Sequence, residues 1–251
     1  SWALLDASGN VVDLGSAPTS GNFASGSGFC PVYGCTDPTA TNFDPLANTD
    51  DGSCAFICAS SYYEDFDAGF GSWVQTPTIS LGGTDDANWS IGNSTPSTCT
   101  GPIADFTGGD FIWLEASFVA NGAVATLTSE CMDLSALSCP ELSFRYHMSN
   151  LAINTPPGYA GCMGTLEMFV NGTSVWSISG DQGDQWNLAV VDLSAFASET
   201  NATITIVGTL SNANCGCGDI AIDAFSVNEC QAYGCTDATA DNYDATATVD
   251  D

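Results

Sequence analysis

Apolar and polar positions alternate along much of this chain, which is the period of a half-buried β-strand. In "LEMFVNGTSVWSISG" (166–180) two alternating runs flank Asn171-Gly172, a type I′ turn dipeptide, and predict a β-hairpin. "ATLTSECMDL", "LSFRYHM" and "ATITIVGTL" read as further strands. "SWALLDASGNVVDLG" at the start reads as another hairpin, two apolar runs around a Ser-Gly-Asn turn. No stretch carries a strong helical period. Many short strands with Gly and Pro punctuation predict an all-β sandwich or jelly roll over residues 58–230. Residues 1–30 are too few to bury a core alone and are expected to be the C-terminal part of an upstream β domain.

One further pattern overlies the strands. "YGCTDPTATNFDPLANTDD" begins at Tyr33, and "YGCTDATADNYDATATVDD" begins at Tyr233. The copies share Gly-Cys-Thr-Asp, an Asn followed by an aromatic and Asp, and a closing Asp-Asp. Pro38 and Pro45 become Ala238 and Ala245, so the prolines are dispensable, and Asn48 becomes Thr248, which lowers it as a ligand. The first copy (31–57) ends in "DDGSC", so Cys54 is positioned to pair with Cys35. The second (231–251) stops before an equivalent cysteine, which leads to the expectation that the chain is a piece of something longer.

Charge sharpens the picture. Asp and Glu number 30 against one basic residue, Arg145, for a net charge of -29. Nucleic-acid binding needs a basic footprint, which is missing. An anionic membrane surface would repel the chain, and no apolar run approaches the ~18 residues of a membrane span. Cations are the natural partners, Ca2+ first, because it takes ~6–8 oxygen ligands from carboxylates and carbonyls. The donors common to both repeats are Asp37, Asn42, Asp44, Asp50 and Asp51, matched by Asp237, Asn242, Asp244, Asp250 and Asp251. So many carboxylates in so short a loop repel each other unless a cation neutralises them. A bound ion and a Cys35–Cys54 bridge would replace a core, with Phe43 or Tyr243 as the apolar plug. The bland reading is a solvated, disulfide-stapled acidic turn.

Twelve cysteines without a Cys-x-x-Cys metal pattern imply disulfides and an oxidising compartment. No Gly-x-Ser-x-Gly, no His pair and no nucleophile–base arrangement marks an enzyme, and the lone His147 reads as structural.

Two resemblances add to this. "GCTDPTATNFDPLANTDDGSC" is similar to a short repeat between domains of very large secreted surface proteins of the Bacteroidota, including gliding-motility adhesins and other cargo of the type IX secretion system. It implies an extracellular bacterial protein with calcium-stiffened linkers. Residues 58–230 resemble the MAM family, a β-sandwich module of adhesion and receptor ectodomains. "DFDAGFGSW", "DDANWSIGNSTPSTCTGP", "DFTGGDFIWLEAS", "GTLEMFV", "SGDQGDQW" and "GDIAIDAFSV" carry the resemblance, in family order. Two positions depart from the family, Phe106 in place of a His and Ala224 in place of an Asp. The resemblance implies a structural cation near the terminal strands, with Asp67, Asp105 and Asp223 as matching acids and Asp110 as an addition.

The same division suggests Cys58–Cys230 tying the domain ends and Cys131–Cys139 as a local pair. It leaves two bridges among Cys99, Cys162, Cys215 and Cys217, with Cys30 and Cys235 over; an alternative joins Cys30 to Cys58. Trp73, Trp89, Trp113, Trp176 and Trp186 read as core, with sugar stacking as the competing role. The resulting reading is a non-enzymatic repeat segment of a large cell-surface adhesin or filament. Its partners would be neighbouring domains or copies of itself, with surface glycans or other cells as further candidates. The competing reading is a carbohydrate-binding accessory module of a secreted polysaccharide-degrading enzyme.

Overall fold

The structure, a computed structural model, describes residues 31–38, 40–76, 87–97, 99–117, 122–150, 162–211, 217–231, 234–245 and 247, with the backbone of two strands before them. The chain divides into two compact units, Ser1–Phe56 and Ile57–Asp251. In the first, β1 (Trp2–Leu5) pairs antiparallel with β2 (Val11–Gly15), the hairpin its pattern predicts. Two short strands, β3 (Tyr33–Gly34) and β4 (Thr49–Asp50), pair in parallel and close the acidic segment on itself.

The second unit is a sandwich of two antiparallel sheets. Its strands are β5 (Tyr62–Glu64), β6 (Val74–Thr76), β7 (Trp89–Gly92), β8 (Phe111–Leu114), β9 (Val124–Thr128), β10 (Pro140–Met148), β11 (Thr165–Val170), β12 (Thr173–Ser179), β13 (Asn187–Asp192), β14 (Ile204–Thr209) and β15 (Ile220–Glu229). One sheet runs β13-β10-β15-β8-β7, with β5 pairing the far half of β15; the other runs β12-β11-β14-β9-β6. Among the described residues the only helices are two single 3-10 turns, Leu134–Ala136 and Ser194–Phe196.

Alternation dictates which side of each strand faces inward. Leu142, Phe144, Tyr146 and Met148 of β10 are buried, as are Leu166, Met168 and Val170 of β11 and Ile204 and Ile206 of β14. Each such side chain stabilises the fold by ~1.5–3 kcal/mol. Aromatic edges fill the space between the sheets. Trp176 meets Phe144 at 5.0 Å, and Trp73 meets Phe225 at 4.9 Å. The β11–β12 turn places Asn171 and Gly172 at φ 48 and 76, the positive values a type I′ turn requires.

Two backbone irregularities set the direction of particular side chains. β15 carries one extra residue between Ser226 and Asp223 relative to Ser143 and Arg145 of β10. This bulge puts Ala224 at φ 48, sends Phe225 into the core and leaves Asp223 on the other face. Phe66 sits at φ 61 and is wholly buried. The left-handed conformation costs ~1–2 kcal/mol, a loss that burial of the ring offsets.

The disulfide pattern differs from the expected Cys58–Cys230 and Cys131–Cys139. Cys58 joins Cys131, and Cys139 joins Cys230. Sheet register is the reason. Ala59 bridges Met132, which sets the residues before them side by side. Pro140 opposes Glu229, and the Cys230 N–H donates to Cys139 O at 2.7 Å. The two ends of the domain are thus stapled to neighbouring strands and not to each other. Cys99 joins Cys217, and Cys162 is also in a disulfide. Cys30 and Cys215 lie outside the described residues.

Candidate functional site

Two acid-rich constructions stand out, the repeated joint and a loop on the sandwich. In the first joint Cys35 is bridged to Cys54. Its backbone folds as three tight turns tied by one longer bond: Ala40 N donates to Asp37 O at 3.1 Å, Phe43 N to Ala40 O at 3.3 Å and Ala47 N to Asp44 O at 3.0 Å, while Asp44 N reaches back to Cys35 O at 2.9 Å. The second copy repeats all four: Ala240 to Asp237 at 3.0 Å, Tyr243 to Ala240 at 3.2 Å, Asp244 to Cys235 at 3.0 Å, and Ala247 to Asp244 at 3.1 Å. Cys35 bridges Phe43 and Cys235 bridges Tyr243 in the same parallel sense. Gly34 and Gly234 lie against the Asp44 and Asp244 side chains, leaving little room for a larger residue. Cys235 carries no disulfide, yet its copy folds the same way.

The expected donors have local partners. Asn42 is a strut: its Nδ2 donates to Ser53 O at 2.6 Å and its Oδ1 accepts Ala55 N at 2.7 Å. Asp44, Asp50 and Asp51 each accept the N–H two residues on, from Leu46, Gly52 and Ser53. Ser53 holds the Asp51 carboxyl below its ordinary range, and Thr239 does the same for Asp237. These are turn-forming acids, exposed or half-exposed. Asp250 and Asp251 lie outside the described residues. Phe43 and Tyr243 are not plugs: they are 39 % and 46 % exposed, and the apolar heart of the first joint is Cys35 with Ala40. A loop this short cannot enclose a ring.

On the sandwich, three carboxylates converge on the loop Asp105–Asp110. Asp223 Oδ2 accepts the Phe106 N–H at 2.9 Å and the Thr107 N–H at 3.2 Å, while its Oδ1 accepts Ala224 N. Asp105 Oδ2 accepts Gly108 N, Gly109 N and, at 3.0 Å, Thr107 Oγ1. Asp67 Oδ1 accepts Asp110 N at 2.6 Å. A Cβ on Gly109 would overlap the Asp67 carboxylate, so glycine is what lets the loop approach. Burial pushes the Asp223 carboxyl up, and the Asp105 charge adds to that. Asp105 is itself pushed up by burial, but the Gly109, Gly108 and Thr107 donors outweigh this and hold it below its ordinary range. Asp67, Asp105 and Asp223 therefore meet on one loop, and Asp110 is held at its end. Among the described residues no three His, Cys, Asp or Glu side chains close on a single point. The carboxylates clasp the loop through its N–H groups.

Further buried polar groups lie in the sandwich: His147, which the sequence reads as structural, and Asp219, which sequence reasoning passed over. His147 is 2 % exposed, with Nε2 3.2 Å from Asp184 Oδ1 and its ring edge-on to Trp186. Burial pushes its pKa down. Trp186 Nε1 donates to Ala104 O at 3.0 Å. Asp219 is wholly buried, with Oδ1 accepting Ala116 N and Oδ2 without a partner. It lies just before β15, and nothing in its local sequence marks it as buried.

Comparison with known proteins bears on the sandwich. The profile of the MAM domain family, meprin/A5/mu, matches residues 65–232. Neuropilin-1 of Xenopus laevis is 32 % identical over 166 residues, 64 % of this chain and 16 % of its own length. The chain thus spans only a small part of that relative. The K1 cleaved adhesin domain of Lys-gingipain from Porphyromonas gingivalis W83 superposes with a TM-score of 0.46 at 14 % identity, covering 68 % of this chain and 99 % of that domain. TmCBM61, solved in complex with β-1,4-galactotriose, superposes with a TM-score of 0.42 at 14 % identity, over 66 % and 94 %.

Proposed function

We propose, from the premise that the chain belongs to the MAM domain family, that it is a non-enzymatic segment of a large secreted cell-surface adhesin or filament. The observation that carries this reading is the duplicated joint. Two segments 200 residues apart adopt the same four backbone hydrogen bonds, with a β-sandwich between them. A joint that folds from its own short sequence suits a chain in which joints and sandwiches alternate. Four disulfides with both partners described support an extracellular, oxidising location. The likeness of 34–54 to repeats of Bacteroidota surface proteins extends the proposal to type IX secretion cargo, gliding-motility adhesins included.

Calcium is the proposed stiffening agent. Asp37, Asp44, Asp50 and Asp51 crowd one exposed loop, and the chain's single Arg lies elsewhere. A hard cation would remove that repulsion and order the loop. The loop held by Asp105 and Asp223 is a weaker candidate, because an ion there competes with two N–H groups on each Oδ2, where Asp44 and Asp50 of the joint accept one N–H each. The test is small-angle scattering of the chain in calcium and in excess chelator, with native mass spectrometry of bound metal. Bound calcium and a longer, narrower particle are expected; no bound metal and an unchanged profile would remove calcium from the reading. The accessory carbohydrate-binding reading wants an exposed aromatic row. Trp73 and Trp89 are buried, and Trp176 and Trp186 pack on Phe144 and Phe111, which does not favour it.

A further inference from the structure

The outer face of the sheet that contains β10 carries a groove apart from the clasped loop, and its lining runs along β15 to Gln231, the first residue of the second acidic segment. Its volume is about 250 Å³. Strand register explains its shape. On this face Val190, Ser143, Ser226 and Tyr63 form one row across β13, β10, β15 and β5. The row sinks in the middle, where the two short serines bond to each other at 2.8 Å. Leu188 and Val190 form one wall and are 52 % and 53 % exposed. The next row sets Glu141 directly opposite Asp192.

That pairing is unusual. Like charges directly opposite each other on a sheet are destabilising, and no basic side chain offsets these two; Asp192 is held below its ordinary range by the Ser194 hydroxyl and N–H, which leaves Glu141 as the unpartnered member. The only Arg or Lys is Arg145, whose guanidinium lies over the Phe106 ring. Burial pushes the Glu141 carboxyl up, and Asp192 pushes it further. Glu229, also at the groove, has both oxygens bound by the Ser138 and Cys139 N–H groups. An apolar wall thus leads to an acidic end where Ser194 holds Asp192 and the Ser138 and Cys139 N–H groups hold Glu229, while Glu141 has no cation beside it. Functional surfaces are where a local conflict of this kind is expected to be retained.

We propose that this groove receives a lysine or arginine side chain of a partner protein. The aliphatic stem would lie along Leu188 and Val190 and the cationic head would reach Glu141 and Asp192. The volume equals that of about eight waters at ~30 Å³ each, which suits one side chain; small-molecule sites run to ~300–1,000 Å³. A second copy of this chain is excluded as the donor, since its one basic residue is engaged. The inference rests on the adhesive-module reading and names the chemistry of its partner.

The test titrates the 251-residue chain with N-acetyl-lysine methylamide and N-acetyl-arginine methylamide, following methyl resonances by NMR, with the norleucine analogue as uncharged control. Saturable shifts centred on Leu188 and Val190 are expected for the two cations and not for norleucine. Glu141→Gln should weaken binding at least fivefold while raising the melting temperature, because it also ends the repulsion with Asp192. Glu130→Gln, at an exposed acid outside the groove, should change binding less than twofold. Shifts scattered over the acidic surface, or equal losses in the two variants, would overturn the proposal. Running the titration in calcium and in chelator keeps the two proposals apart: failure of the stiff-joint reading leaves the groove shifts unchanged, and failure of the groove leaves the calcium response of the joints intact.

Discussion

Arg145 and Asp223 are cross-strand partners on β10 and β15, and both hold Phe106. The guanidinium carbon lies 4.2 Å from the centre of the Phe106 ring, and Asp223 Oδ2 accepts the Phe106 N–H at 2.9 Å. The one positive charge of the chain thus fastens the loop 105–110 by its ring, while a buried carboxylate fastens it by its backbone. This predicts energetic coupling. Arg145→Met and Phe106→Leu should each lower stability by about 1–2 kcal/mol, and the double variant should lose ~0.5–1 kcal/mol less than the sum. Urea unfolding of the four proteins measures it; strict additivity would mean that the contact contributes nothing.

Asp219 should make stability depend on pH. Burial, with the Glu115 charge adding to it, raises its pKa from 3.8 to about 8. Between those values the folded protein holds a proton that the unfolded chain has released. Stability from this group therefore falls as pH rises, by ~1.4 kcal/mol per unit, and levels off above the folded pKa. Asp219→Asn keeps an acceptor for the Ala116 N–H and removes the titration. It should be close to wild type near pH 4 and distinctly more stable at pH 8. Parallel stability–pH curves for the two proteins would show that Asp219 is not the titrating group.

The revised disulfides are open to direct mapping. Digestion without reduction should release a peptide pair joining Cys58 to Cys131 and another joining Cys139 to Cys230. Replacing both cysteines of either pair with serine should cost about 4 kcal/mol by the chain-entropy argument, since the bridges span 73 and 91 residues. Recovery of a Cys58–Cys230 peptide would contradict the strand register that places them apart.

Asn42 should matter more to the first joint than its polar surface position implies. Asn42→Ala deletes the bonds to Ser53 O and Ala55 N, each worth ~0.5–1.5 kcal/mol net. Hydrogen exchange at the Ala55 amide should accelerate about tenfold or more. Unchanged exchange would assign closure of the joint to Cys35–Cys54 and the Thr41–Ala55 bonds, without Asn42.

The sequence alone determined whatever depends on near neighbours. Alternation marked the β11–β12 hairpin and the buried face of β10, because a strand's two faces are a property of the backbone. The acidic repeat was legible for the same reason: its four shared backbone hydrogen bonds all close within one short segment, three of them as tight turns, and they form in both copies whether or not the cysteine is bridged. The family's motif order identified the sandwich. Tertiary structure decided what depends on register between distant strands. It paired Cys58 with Cys131, because Ala59 happens to bridge Met132. It turned Asp223 outward through a bulge at Ala224, and it set Glu141 against Asp192. Which residues oppose each other across a sheet is a collective outcome of packing the whole core, and no short stretch encodes it.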